Sequence, residues 1–523
     1  MCGIIGCVGR GDNTLETLLH GLEKLEYRGY DSAGVALGDG STLQVRKCAG
    51  EIQALKDDLQ GATISGTLGL GHSRWSTHGP PTDANAHPHV DCRGDVAVVH
   101  NGIIENYQTL RDELLAAGHE FSSDTDTEVV PHLIEDQLAD GHDPETAFRN
   151  AIEDVEGSYA IAAVIAGSEA IFAARNDSPL VLGLADGATF LASDVPAFRD
   201  FTDSVVYVGD GEFVRLDGDG WTVTDADGST VDKSVETVEW DAEETGKSGY
   251  DHFMLKEIHE QPRAIRRCIR GRVDELRGSV DVGDLGDLSP TGVHFVAAGT
   301  SYHAGMFGER LFQAAGVPAQ SFIASEYASS PPPIGDALVI GVSQSGETAD
   351  TLAGLREADR RGARTLAVTN VVGSTAEREA DHVLHVRAGP EIGVAATKTF
   401  ATQLAALTLL QVAIAGASDT RDIVTALREL PANVQSLLDE SRAQIVAETY
   451  ADANAFFFIG RGYHYPVALE GALKMKEITY RHAEGFAAGE LKHGPLALVT
   501  EHTPVFAVVT GDDALSTKTV GNV

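Results

Sequence analysis

Chemistry in this chain can start at its second residue. If Met1 is removed, Cys2 carries a thiol and a free α-amine together, with ordinary pKa values of about 8.5 and about 7.7–8.0. The amine can take the thiol proton, directly or through a water, with no histidine partner. The competing reading is a small buried residue at the start of a strand, as Cys7 in the same GIIGCV run would be. Other segments supply what a thiol needs to cleave the side-chain amide of an amino acid. Arg74 lies with Trp75, Thr77 and His78 in the loop-like GHSRWSTHG, and a guanidinium can hold an α-carboxylate through two parallel hydrogen bonds. Asp126 in SSDTDTEV can hold an α-ammonium. Asn101 and Gly102 follow the strand-like DVAVVH and can offer an amide NH2 and a backbone N–H to a tetrahedral oxyanion. His72, His78, His87 and His89 invite a metal reading, but their spacing fits no common zinc pattern, so no metal site is expected.

A second group of residues suits an anion. GVSQSGETADTL runs from an apolar strand into a helix, with hydroxyls at Ser343, Ser345 and Thr348 and a permissive Gly346. Free N–H groups at a helix start favour negative charge. No GxxxxGK occurs, so a Walker-type nucleotide site is excluded. Gly299-Thr300-Ser301 offers a second polar turn at the same sheet edge, where doubly wound folds bind ligands. Two such loops suit a phosphate held by neutral donors. Lys474 and Glu477 fall at i and i+3 on one helix face; taken alone they read as an exposed ion pair.

These groups need two kinds of scaffold. A chain of 523 residues is long enough for about three domains. From Ile4 to about Val235 short β-branched or apolar runs alternate with Gly/Asp turns, with helical periodicity in TLETLLHGLEKLEY and ENYQTLRDELLAAG. This predicts an α+β layered domain over 1–240. An acidic linker and hinge helix follow over 241–275. Beyond them VHFVAAG, ALVIGVS, TLAVTN and DHVLHVRAG alternate with helical segments, the pattern of an α/β doubly wound parallel sheet. FVAAGTSYHAG and FFFIGRGYHYP align, pairing Gly299 with Gly460, Tyr302 with Tyr463 and His303 with His464. A further pair places Ser343 opposite Thr510. Two related α/β units are therefore predicted, 276–435 and 436–523, the second shorter at its C-terminal end.

The formal charge is −39, from 78 acidic and 39 basic residues spread along the chain. A solvated acidic surface of this kind suits salt-rich solvent, where screening removes most self-repulsion. It argues against a nucleic-acid partner, which needs a basic footprint. The sequence has no 18-residue apolar run and no signal-peptide pattern, so no membrane partner and a cytoplasmic location are expected. Cys2, Cys7, Cys48, Cys92 and Cys268 form an odd, scattered set without CxxC, which predicts neither a disulfide framework nor a zinc ribbon.

MCGIIG, LEYRGYDSAG, HSRWSTHG, NAHPH, HNGIIEN and DTDTE together resemble the glutaminase domain of class II glutamine amidotransferases. The resemblance implies an N-terminal-nucleophile αββα sandwich in which Cys2 attacks L-glutamine, giving a glutamyl thioester and ammonia. It implies Asn101 and Gly102 as oxyanion hole, Arg74 and Asp126 as clamps on the glutamine carboxylate and amine, Thr77 and His78 as neighbouring contacts, and Trp75 as the ammonia gate. The later loops, with EIGVAATKTF, ALEGALKMKEITY and GELKHGPLAL, resemble the tandem sugar isomerase (SIS) domains of amidotransferases that act on fructose 6-phosphate. That implies Thr300, Ser301, Ser343, Gln344, Ser345 and Thr348 around the sugar phosphate, with Val394 nearby. It also implies Glu477 as the base between C1 and C2, assisted by Lys474. His493 would assist ring opening from a neighbouring subunit, hence a homodimer. The implied product is glucosamine 6-phosphate, with no metal, flavin or pyridoxal cofactor. Ala396 stands where the family has a serine. The family's Schiff-base lysine and tail have no counterpart, and Lys518 in TKTV does not take that role. An uncoupled glutaminase and an inactive sugar-phosphate-binding protein are the alternatives this leaves.

Overall fold

Strands in which both residue parities are apolar need cover on both faces, and the first half of the chain supplies it in four layers. The computed structural model describes all residues except 1, 27–28, 62–63, 76–78, 239–246, 275–276, 417–419, 512–513 and 523. Its two compact units are Met1–Thr245 and Gly246–Val523.

In the first unit an eight-stranded antiparallel sheet has Gly3–Val8 between Ala188–Ala192 and Leu68–Arg74. A six-stranded sheet has Val96–Ile104 beside Gly157–Ile165. Alternation assigns each residue to a face. Ile4, Leu68, Leu70, Ala97, Val99, Ala160 and Ala162 fill the space between the sheets. Ile5 and Cys7 face the other way, onto Leu18 and Leu22 of helix Thr14–Leu25 and Leu55 of helix Ile52–Asp58. Val96, Val98, Ile161 and Ala163 pack against residues of helices Tyr107–Ala117, Val129–Ala139 and Pro144–Glu153. This is the αββα sandwich.

The second unit carries two parallel sheets. The five-stranded one runs Ala319–Ile323, Gly292–Ala297, Ala337–Ser343, Arg364–Thr369, His382–His385. The chain leaves Gly292–Ala297 toward one neighbour and later returns to its other side, so the strand order reverses between Gly292–Ala297 and Ala337–Ser343. Ligands bind doubly wound sheets beyond the carboxyl ends of strands at such a reversal. The three-stranded sheet, His482–Ala487, Ala455–Gly460, Val505–Ala507, repeats the order of the first sheet's Ala319–Ile323, Gly292–Ala297 and Ala337–Ser343. The equivalent strands Gly292–Ala297 and Ala455–Gly460 are each followed by a helix, Gly299–Ala314 and His464–Thr479.

The predicted hinge helix, Phe253–Ile269, buries Ala264, Cys268 and Ile269 in the core of the five-stranded unit. Helix Lys398–Ala415 is long and apolar enough by composition to cross a bilayer. Ala405, Leu407, Leu409 and Leu410 instead fill the same core, and Gln403 and Gln411 are buried with hydrogen-bond partners.

Candidate functional site

The apolar filling between the two antiparallel sheets gives way at one end to polar side chains of the same parity. Ile4 is preceded two residues earlier by Cys2, Leu70 is followed by His72 and Arg74, and Val99 is followed by Asn101. Register aligns them, with Gly3 opposite Ser73 and Ile4 opposite His72. Asn101 Nδ2 donates to the Cys2 carbonyl (2.9 Å), while its Oδ1 lies 3.1 Å from His72 Nε2. The Trp75 N–H donates to Cys2 Sγ (3.3 Å). Burial pushes the Cys2 thiol up, while the Trp75 N–H and the Arg74 guanidinium pull it down. A base is therefore needed to generate the thiolate.

Gly102, paired opposite Tyr159, has φ 132°. A Cβ there would sit 1.9 Å from the Ser158 carbonyl oxygen, so both conformation and space demand glycine. Asp126 is buried, and its Oδ2 accepts from the Ile104 N–H (2.9 Å) at the end of the strand that carries Asn101 and Gly102. The loop before it is saturated by Glu128, whose carboxylate accepts from the N–H and hydroxyl of both Ser122 and Ser123 (2.6–2.7 Å).

Arg74 differs from the sequence expectation: it ends the strand Leu68–Arg74 instead of lying in a loop, because that strand is paired on both sides. Its Nη2 donates to the Gly79 carbonyl (3.3 Å). Trp75 meets Tyr30 edge-on (5.3 Å between ring centroids) and is 38% exposed. Thr77 and His78 lie outside the described residues. His72 and His87 stack 4.2 Å apart and His89 meets His87 edge-on. Burial holds His72, His87 and His89 well below the ordinary histidine range, His72 at about 3. These rings are neutral packing and hydrogen-bonding groups, and the role of His72 in orienting Asn101 was not legible from spacing. Four other side chains, Cys92, His119, His132 and Glu135, do converge.

In the second unit, the expected turn Gly299-Thr300-Ser301 is the first turn of the helix itself, because the helix starts directly at Gly299. Ser343 ends its strand, and its Oγ accepts from the Gly346 N–H (3.0 Å) and lies 2.9 Å from Thr348 Oγ1. Ser345 Oγ accepts from the Glu347 N–H (3.1 Å), and the Gln344 carbonyl accepts from the Asn370 N–H (3.1 Å). Gly346 has φ 69°, and a Cβ there would meet Ser374 Oγ at 2.2 Å. The result is a tight polar loop leading into helix Ala349–Arg360.

Helix His464–Thr479 brings its charged stripe against this edge. Lys474 Nζ donates to Thr300 Oγ1 (3.0 Å) and lies 2.5 Å from Glu477 Oε2 and 3.3 Å from Glu470 Oε1. Glu470, which sequence reasoning missed, is buried; it accepts from Thr300 Oγ1 (2.9 Å) and lies 2.7 Å from His303 Nδ1. Its signal is an i, i+4, i+7 stripe, Glu470, Lys474, Glu477. Far from an exposed pair, Lys474 is shared by three partners and its side chain is 17% exposed. Ser301 Oγ accepts from Gln403 Nε2 (2.9 Å).

Val394 is exposed on a loop whose neighbour Gly393 donates to Glu257 (3.0 Å). Ala396 lies on the same loop. Glu391 accepts from the N–H groups of Thr397 and Thr399 (2.8 and 3.2 Å) at the start of helix Lys398–Ala415, where free N–H groups need acceptors. Burial, then the Glu257 charge, lift Glu391 to about 7. His493 is exposed in a short turn, and no hydrogen bond links its ring to Lys474 or Glu477 among the described residues.

The two halves match known families. Residues 72–200 match the glutamine amidotransferase domain, and residues 292–413 and 449–520 match the SIS domain. The chain is thus a glutamine amidotransferase domain joined to SIS domains. It is 52% identical to a glutamine–fructose-6-phosphate aminotransferase (isomerizing) of Halobacterium salinarum, over all of this chain and 88% of the relative. It is 50% identical to the protein of that name in Methanothermobacter thermautotrophicus, over 97% of this chain and 85% of that one. Among solved structures, the C-terminal domain of glucosamine-fructose-6-phosphate aminotransferase from Francisella tularensis matches 53% of this chain and 81% of its own. That match has 40% identity and a TM-score of 0.50. The chain belongs to the glutamine–fructose-6-phosphate aminotransferase (isomerizing) family.

Proposed function

We propose that this enzyme converts L-glutamine and D-fructose 6-phosphate to L-glutamate and D-glucosamine 6-phosphate through the residues described above. The observation that carries the reading is the network joining Cys2 Sγ, the Trp75 N–H and the Asn101 amide. With Met1 removed, the Cys2 amine serves as base, and the thiolate attacks the glutamine amide carbon. Asn101 Nδ2 and the Gly102 N–H stabilise the oxyanion, Arg74 and Asp126 hold the amino-acid end, Thr77 and His78 are assigned further glutamine contacts, and Trp75 gates the ammonia released as the thioester forms. Water then frees glutamate.

On the SIS side the phosphate is held by Ser343, Gln344, Ser345 and Thr348, with Thr300 and Ser301 along the sugar and Val394 at its rim. Ammonia adds at C2 of the ring-opened ketose and water leaves. Glu477 carries a proton from C1 to C2, and Lys474, fixed by Thr300 and Glu470, supports the developing charge. His493, exposed on its turn, serves the sugar site of a neighbouring copy in a homodimer, within the cytoplasm and its salt.

The test supplies glutamine with and without fructose 6-phosphate in concentrated salt, measuring glutamate and glucosamine 6-phosphate separately. Both products in equal amounts are expected; glutamate alone would overturn the transferase assignment in favour of a glutaminase.

A further inference from the structure

In the first unit, four side chains from three separate stretches converge, with their ligand-type atoms all within 4.8 Å of one another. Cys92 follows the short strand His89–Val90, His119 follows helix Tyr107–Ala117, and His132 and Glu135 lie one turn apart on helix Val129–Ala139. Cys92 Sγ is 3.6 Å from Nδ1 of both His119 and His132. Glu135 Oε2 is 3.1 Å from His119 Nδ1 and 3.5 Å from His132 Nδ1.

The sulfur–nitrogen and nitrogen–oxygen separations match the edges of a tetrahedral site. Zinc bonds of about 2.3 Å to sulfur and about 2.0–2.1 Å to nitrogen and oxygen put sulfur about 3.6 Å from nitrogen, and nitrogen about 3.4 Å from oxygen. Hydrogen bonding explains the sulfur contacts least. A thiol is a weak hydrogen-bonding group, yet Cys92 Sγ stands equidistant from two imidazole nitrogens. Outer partners complete the pattern: His119 Nε2 lies 2.9 Å from Asp136 Oδ1, the carboxylate–histidine arrangement that orients metal ligands. The Glu120 N–H points at Cys92 Sγ (3.5 Å) and the Cys92 N–H at Glu135 Oε2 (3.2 Å). The His132 side chain is 1% exposed, those of His119 and Glu135 are 9% and 12%, and Cys92 is exposed, which leaves one open side for an ion to enter.

We propose that Cys92, His119, His132 and Glu135 form a structural site for zinc. Four protein ligands leave no position for substrate, so the role is structural. Binding exchanges the Cys92 thiol proton for the metal, because the thiolate is the ligand. The staple ties both ends of the segment that carries Asp126 and Glu128 to the loop after His89–Val90.

The test titrates metal-free, full-length protein in concentrated salt with Co(II), then Zn(II). About one Co(II) per chain is expected, with the intense visible bands of a tetrahedral site, a thiolate-to-cobalt charge-transfer band and stoichiometric displacement by zinc. Cys92→Ser removes the charge-transfer band, Asp136→Asn keeps all four ligands but weakens zinc about 10-fold, and Cys2→Ser leaves the spectrum unchanged. A pale octahedral spectrum from the unmodified protein overturns the site, whatever the folding of the variants. So does a charge-transfer band that survives Cys92→Ser and vanishes in Cys2→Ser.

Discussion

The glutaminase half and the SIS half position reactive groups by different means. In the first, Cys2, His72, Arg74 and Asn101 are placed by strand register and side-chain parity, so a slip of one residue would turn every one of them away. In the second, Ser343 ends a strand, Thr300 lies in the first turn of a helix, and the charged groups come from a helix of the other repeat. Backbone pairing makes a site all-or-none, whereas packing lets each contact be lost separately.

The difference can be tested by substitution. Cys2→Ser should cut glutamate release by about 10⁴-fold or more, while thermal stabilisation by fructose 6-phosphate stays unchanged; a lost shift would mean the halves are not separable. Glu477→Gln should lower glucosamine 6-phosphate formation by about 10³-fold and leave glutaminase turnover within twofold, both read from one reaction mixture. Asn101→Ala should lower glutaminase kcat by about 10²–10³-fold. Gly102→Ala should do the same and lose soluble, folded protein as well, because its Cβ strikes the neighbouring strand. Ser343→Ala should raise the KM for fructose 6-phosphate by about 10-fold with little change in kcat, since the loop keeps Ser345, Thr348 and its N–H groups.

The smallest effect concerns pH. Glu391 is lifted from the ordinary glutamate value to about 7, so between about pH 4.5 and pH 7 the folded chain holds a proton that the unfolded chain releases. Stability from this group is present at the acid end and falls as pH rises through that window, by up to about 3 kcal/mol. Denaturant titrations should show a shallower decline for Glu391→Gln; identical slopes would show that Glu391 titrates normally.

Legibility in the sequence followed the same division. The strand-like GIIGCV and DVAVVH located Cys2 and Asn101 beside strands, and the pairing of Gly299 with Gly460 anticipated two sheets with equivalent strands Gly292–Ala297 and Ala455–Gly460, whereas the face each side chain takes came only with the register. Arg74 was misread as a loop residue because GHSR gives no apolar signal at its polar end. Glu470 was missed because its value lies in reaching Thr300 and His303 across the repeat. The Cys92 cluster was invisible because its members sit at spacings that match no metal pattern, and only the path of two helices closes them. Parity is local information; packing between distant helices is not.

The loop after Ala337–Ser343 presents hydroxyls and an amide side chain without a cation, and its Gly346 and Glu347 N–H groups fix the Ser343 and Ser345 oxygens. Such a pocket grips by oriented dipoles, so its affinity contains little of the ion-exchange contribution that a lysine or arginine cradle gains in dilute buffer and loses in brine. With the phosphate role proposed for it, this loop would let a chain carrying −39 charges hold its substrate across a wide range of ionic strength without a cation between Ser343 and Thr348.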